Sequence, residues 1–201
     1  MAGKAPIPES LDLLEKLVAA LKRRGVMTEE DILRRQELTD RGAPETGARM
    51  IARAWLDPDW RALLLRDGTA AAEAFGISLA AAPPLGVLED TDKLHHLVVC
   101  TLCSCYPRAI IGYPPHWYKS AAYRARAVRE PRAVLAEFGT VLPAGVQVRV
   151  VDSTADYRWM VLPQRPAGTE GWNEDQLAAI VTRDVMVGVS LPHAEQRKQA
   201  A

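Results

Sequence analysis

Cys100, Cys103 and Cys105 are all the cysteines of this 201-residue chain, and they fall within the six residues "CTLCSC". Packing alone does not account for C-x-x-C-x-C placed directly after the apolar run "LVV", although a single buried cysteine often acts as a small hydrophobe. A thioredoxin-like redox pair would leave Cys105 unused. A structural zinc site needs four ligands, and the chain has no second C-x-x-C. His95 and His96 are the nearest candidates for a fourth, but neighbours on an extended run point to opposite faces. What remains is a metal held by this one loop, whose soft thiolates select a transition metal over magnesium or calcium. Three sulfurs do not fill an octahedron. If the loop turns tightly enough, the amide nitrogens of Ser104 and Cys105 face the same ion, and a strongly Lewis-acidic trivalent metal can deprotonate and bind them. One position then stays open, as catalytic sites require.

The elements that must position this loop fall into two textures. In the first, Leu11, Leu14, Leu17, Val18 and Leu21 recur at helical spacing, with Ser10 as the expected N-cap and Gly25 as the stop. Thr28 and Asp31 form a capping-box pattern that opens a second, mostly charged helix, "EEDILRRQELTD". Further helices are expected after Pro44 and from Asp57-Pro58 to Gly76. Their apolar stripes exceed what a short helical segment covers by itself, so residues 1–75 read as a helical N-terminal arm and partner-contact region. Residues 76–201 read as a globular metal-binding catalytic domain. Its β-rich runs "LGVLED", "LHHLVVC", "VQVRVVD" and "YRWMVLP" are bounded by Pro and Gly, and a helical stretch broken at Pro131 lies among them. "NEDQLAAIVTRDVMVGV" reads as a helix running into a last strand-like piece. The fold class is therefore α+β: a helical arm followed by a layered α/β domain with mixed strands.

Composition excludes several functions. Lys plus Arg equals Asp plus Glu at 25 each, so no charge excess points to nucleic acid or an anionic membrane. No dinucleotide or P-loop glycine motif is present. No window approaches the roughly 20 apolar residues of a membrane span, and the first residues lack the apolar region of a secretion signal, so the chain reads as cytoplasmic.

"VCTLCSCY", with "GYPPHWYKSAAYRARAVREPRAVLAEFG", "VRVVDSTADYRWMVLPQRPAGTEGW" and "VTRDVMVGV", resembles the α subunit of nitrile hydratase over about residues 50–193. The resemblance implies that fold and an enzyme, a hydro-lyase, that adds water to a nitrile to give an amide. It implies a non-corrin cobalt(III) centre, with iron(III) the lesser alternative, held by Cys100, Cys103, Ser104 and Cys105. Ser104 and Cys105 would donate backbone nitrogens. Cys100 would stay a thiolate, Cys103 would become a sulfinic acid and Cys105 a sulfenic acid. Thr101 matches the cobalt members, which carry threonine after the first cysteine. The implied partners are a β subunit, with room for a third chain, a metal-loading activator protein and a small-molecule nitrile. Neither nucleic acid nor membrane is expected.

By the same resemblance, Cys105 and Ser104 are the catalytic residues, and either a hydroxide or the Cys105 sulfenate attacks the nitrile carbon. Asp156 and Arg158 match an acid and an arginine beside the metal loop, read here as an ion pair that orients it. Asp152, Trp117 and Tyr118 read as structural. Departures bear on substrate: Arg108 stands where most members carry a pocket tryptophan, Tyr113 where they carry leucine, and Ala81 aligns with a glutamine near the site. Arg108 and Tyr113 then mark the substrate pocket, reshaped toward a polar heteroaromatic or nucleoside-like nitrile. Two alternatives stay open: a thiocyanate hydrolase catalytic subunit, and a metal-carrying subunit that is not an enzyme.

Overall fold

The structure, a computed structural model, describes residues 9–33, 43–80 and 82–195. The chain forms two compact units, Met1–Asp40 and Arg41–Ala201. The helices between residues 44 and 74 contribute buried side chains to the core of the larger unit.

In the first unit, helix α1 spans Glu9–Arg23, so Ser10 lies inside its first turn instead of capping it. Gly25 follows with φ 68°, the left-handed conformation that ends a helix. The capping box forms as expected: Thr28 N donates to Asp31 Oδ2 at 2.8 Å and Asp31 N donates to Thr28 Oγ1 at 3.1 Å. Residues 29–33 are helical, and the rest of that expected helix lies outside the described residues. Leu13, Leu14, Leu17, Val26 and Leu33 are exposed.

The second unit opens with α2 (Pro44–Leu56), α3 (Pro58–Arg66) and α4 (Gly68–Ala74). Asp57 caps α3 by accepting from the amides of Asp59 and Trp60, and Asp67 caps α4 by accepting from Ala70 N. The inward faces of these helices, including Met50, Ile51, Leu64 and Ala71, are fully buried. Gly47 lets α2 approach closely, since a Cβ there would lie 2.6 Å from both Ile111 and Met186 side chains.

Two strand pairs carry the rest. β1 (Leu85–Glu89) runs parallel to β4 (Arg158–Leu162), and β2 (Leu94–Val99) runs parallel to β3 (Gln147–Asp152). Between them lie α5 (Arg108–Ile111), α6 (His116–Lys119), α7 (Ala121–Arg129) and α8 (Pro131–Glu137). The chain closes with α9 (Glu174–Ala178) and α10 (Arg183–Met186). The piece after α10 is a turn, not the strand expected. It nevertheless flanks β2: Val98 N donates to Val187 O at 2.9 Å, and a Cβ on Gly188 would collide with His96 O at 1.9 Å.

β2 is buried along almost its whole length, as a parallel strand covered on both faces is, although two histidines interrupt its apolar run. The two histidines within it are satisfied by one carboxylate. His95 Nδ1 lies 2.9 Å from Asp90 Oδ2, His96 Nδ1 lies 3.0 Å from Asp90 Oδ1, and His96 N donates to the same Oδ1 at 2.7 Å. His95 Nε2 donates to Gly188 O at 2.7 Å. Both ring nitrogens of His95 thus face oxygens, and the neighbouring carboxylate of Asp90 favours the charged form of the ring. Register decides where the cysteine loop sits. Val99 pairs with Asp152, so the ends of β2 and β3 lie together and the loop springs from that edge.

Candidate metal centre

The loop leaves β2 at Cys100, which is buried, passes Cys103 at the surface and returns to the interior at Cys105. The sulfurs converge: Cys100 Sγ lies 3.4 Å from Cys103 Sγ, which lies 3.2 Å from Cys105 Sγ, and none is in a disulfide. All three lie within 4.8 Å of one another. With metal–sulfur bonds of about 2.3 Å, right-angled ligands sit about 3.2 Å apart and tetrahedral ones about 3.8 Å. The two spacings to Cys103 are closer to the right-angled value than to the tetrahedral one. The amides also face inward: Cys103 N donates to Cys100 Sγ at 3.3 Å, and the Ser104 and Cys105 amides donate toward the Cys103 sulfur. The donor set therefore fits a soft-ligated transition metal with amide nitrogens within the same claw. Neither His95 nor His96 belongs to the cluster.

Electrostatics divides the thiols. Hydrogen bonds from Cys105 and Cys100 lower the Cys103 thiol to about 7, whereas burial and the neighbouring sulfurs push Cys105 up to about 12, partly offset by the charge of Arg158. The exposed Cys103 is thus the thiolate most open to oxidation.

Three elements hold the loop. From β3, Asp152 accepts from Thr101 N at 3.1 Å and also from the Thr101 hydroxyl, and Ser153 N donates to Val99 O at 2.7 Å. From α6, Tyr118 donates to Cys105 O at 2.9 Å. From α7, Arg124 Nη1 donates to Thr101 O at 3.1 Å and Tyr123 donates to Val98 O at 2.8 Å. Burial pushes the phenols of Tyr118 and Tyr123 well above the usual tyrosine range, so both keep the proton that they donate.

The remaining residues named from the sequence are placed as follows. Ser104 is half-buried at the turn of the claw. Arg158 opens β4 near Cys105, and its Nη1 is buried without a hydrogen-bond partner among the described residues. Asp156 is exposed in the turn before β4, and among the described residues no ion pair joins it to Arg158. Arg108 and Tyr113 are both exposed beyond the loop, with the guanidinium 5.6 Å from the centre of the tyrosine ring. Ala81 lies outside the described residues. Asp152 and Tyr118, read from the sequence as structural, and Arg124, which that reading does not name, are the residues that hold the loop. Asp152 did carry a signal, because it ends the run "VQVRVVD", and parallel strands place their sites at carboxyl ends.

A family model described as "Nitrile hydratase, alpha chain" matches residues 9–190. Thiocyanate hydrolase subunit gamma of Thiobacillus thioparus is 45% identical over 94% of this chain and 84% of its own. The low-molecular weight cobalt-containing nitrile hydratase subunit alpha of Rhodococcus rhodochrous is 54% identical over 74% of this chain and 72% of its own. Among solved structures, a double mutant of the Fe-type nitrile hydratase from Comamonas testosteroni Ni1 superposes with a TM-score of 0.82 at 42% identity. That match covers 95% of this chain and 94% of the other.

Proposed function

Since the chain belongs to the nitrile hydratase α-chain family, we propose that it hydrates a nitrile to the corresponding amide at a cobalt(III) ion, as one subunit of a hetero-oligomer. The convergence of three sulfurs at 3.2 and 3.4 Å carries this reading. Cys100, Cys103 and Cys105 would hold the ion with the amide nitrogens of Ser104 and Cys105. When bound, the ion supplies Lewis-acid chemistry that polarises the carbon–nitrogen triple bond or activates water. Cobalt is favoured over iron by Thr101 and by the cobalt-containing relatives.

The chain's own residues then do the rest. Asp152 fixes Thr101 and so orients the first cysteine. Cys103, the exposed sulfur, would be the one carried as the sulfinic acid. Cys105, carried as the sulfenic acid, presents an oxygen that acts as nucleophile or as acceptor of the water's proton, and the unpartnered Arg158 Nη1 is a donor suited to such an oxygen. A β subunit, an activator that loads the metal and a cytoplasmic setting complete this reading, which covers substrate entry through Arg108 and Tyr113.

The exposed Arg108 favours a second reading, hydrolysis of thiocyanate, because a guanidinium beside the claw suits an anion better than a neutral nitrile. Co-expression with its partner subunit, followed by metal analysis and parallel assays on an aliphatic nitrile, a heteroaromatic nitrile and thiocyanate, separates the readings. About one cobalt per chain and amide formation are expected. Preferential consumption of thiocyanate selects the second reading, and metal without turnover on any of the three selects a metal carrier.

A further inference from the structure

Three backbone carbonyls in and just before the cysteine loop are gripped by one short stretch of chain. Tyr123 takes Val98 O at 2.8 Å, Arg124 takes Thr101 O at 3.1 Å and Tyr118 takes Cys105 O at 2.9 Å. The first acceptor lies in β2 two residues ahead of Cys100 and the other two lie within the claw, and all three donors come from residues 118–124. Ser120 sets their relative placement, because its side chain caps α7 by accepting from Tyr123 N at 3.1 Å and so fixes the angle between α6 and α7. Tyr118 is wholly buried and edge-packed on Tyr106 at 5.0 Å and Trp117 at 5.8 Å, so its ring cannot follow a moving loop.

We propose that Tyr118, Tyr123 and Arg124 are positioning residues that form the claw before metal arrives, by turning its carbonyls outward and leaving its amides and sulfurs facing in. The chemistry requires this sorting. A carbonyl oxygen is a hard ligand, and one swung into the claw would compete with sulfur and favour the wrong ion. The amides that do face in are those of Cys103, Ser104 and Cys105. Donors behind a metal-binding loop act like any outer partner of a ligand, whose loss costs 10- to 100-fold in affinity.

The proposal rests on the claw being a metal site, and the test separates the two. The full-length chain is titrated anaerobically with cobalt(II), following the thiolate-to-cobalt absorption, and amide exchange at residues 100–105 is measured without metal. Tyr118→Phe and Arg124→Met should each weaken uptake about tenfold or more, shift the absorption and speed exchange at the loop amides. Arg124→Lys should recover part of the affinity. Tyr106→Phe is the control, since that ring lies in the same aromatic cluster but its buried hydroxyl has no hydrogen-bond partner among the described residues. It should leave affinity, spectrum and exchange unchanged. Wild-type uptake, spectrum and exchange in Tyr118→Phe and Arg124→Met would overturn the proposal, as would an equal change in Tyr106→Phe. If the wild-type chain takes no cobalt, the metal reading fails, and loop exchange alone then decides whether the clamp exists. Circular dichroism identifies any variant that fails to fold, and for such a variant Arg124→Lys and Tyr123→Phe carry the test.

Discussion

Within the claw, Cys100 and Cys105 are 1% and 8% exposed, whereas Leu102 between them is 87% exposed. The buried floor is tied to Asp152, Tyr118, Tyr123 and Arg124 by hydrogen bonds that this chain makes by itself. The rim, formed by Leu102, Cys103, Arg108 and Tyr113, is exposed. The floor therefore sets which ion is held and how. The rim is left to meet substrate or partner, and an apolar side chain as open as Leu102 gains stability only when something covers it. Changes to the floor should thus register as metal content and fold stability, and changes to the rim as selectivity.

The largest effect should follow from removing a floor ligand. Cys100→Ala is expected to lower cobalt content by at least a hundredfold, read by elemental analysis, while Cys105→Ala should abolish turnover even where some metal is retained. Full metal in Cys100→Ala would mean that the floor is not the binding element. Next comes the Asp90–His95 pair that anchors the strand beneath it. Burial acts most strongly on both groups and opposes their charges, but the partners outweigh it: Asp90 is held below its ordinary 3.8 and His95 above its ordinary 6.5. The carboxylate's contribution is present above 3.8 and lost as pH falls through its depressed value. The imidazolium's contribution is complete below 6.5 and lost as pH rises through its raised value. Melting temperature should therefore plateau between these limits and fall on both sides. His95→Ala, which leaves a buried carboxylate short of a partner, should cost about 3–5 kcal/mol in chemical denaturation. A flat profile in the wild type would remove the pair from the account of the floor.

Rim changes should be smaller and different in kind. Arg108→Trp should leave cobalt content intact while lowering kcat/KM for thiocyanate or a polar heteroaromatic nitrile by about ten- to a hundredfold relative to a small apolar nitrile, the worth of one charged hydrogen bond. If all substrates respond alike, the guanidinium is not reading them. Leu102→Ser should shift the stability of the isolated chain by no more than about 0.5 kcal/mol, as for any exposed position. Loss of metal in that variant would erase the distinction between rim and floor.

The same division explains what could be read in advance. Three cysteines in six residues are a local pattern, and so are Thr28 with Asp31 and the Asp57-Pro58 start of α3, so spacing alone exposed them. Asp152, Tyr118 and Arg124 act on the claw from 13 to 51 residues away along the chain. Their role depends on the parallel register of β2 with β3 and on the angle between α6 and α7, and neither leaves a mark in local periodicity. Asp156 and Arg158 are named by resemblance and not by local pattern, and the chain places one in a turn and the other at the start of a strand. "VMVGV" has strand composition yet closes as a helix end and turn, because Gly188 must pass against His96 O where a side chain cannot fit.

The flanking of β2 by β3 on one side and Val187 on the other also sets an order in time. During synthesis the three thiols emerge well before Asp152, and longer still before Val187. At 5–20 residues per second the wait is on the order of ten seconds. Throughout that interval the nascent loop has neither its ladder nor its carboxylate anchor, and its sulfurs are open to stray oxidants and to any soft ion in reach. The claw can discriminate among metals only once the chain behind it has been made, so a newly born subunit needs either a reducing, metal-poor surrounding or an escort until its last turn closes on the strand.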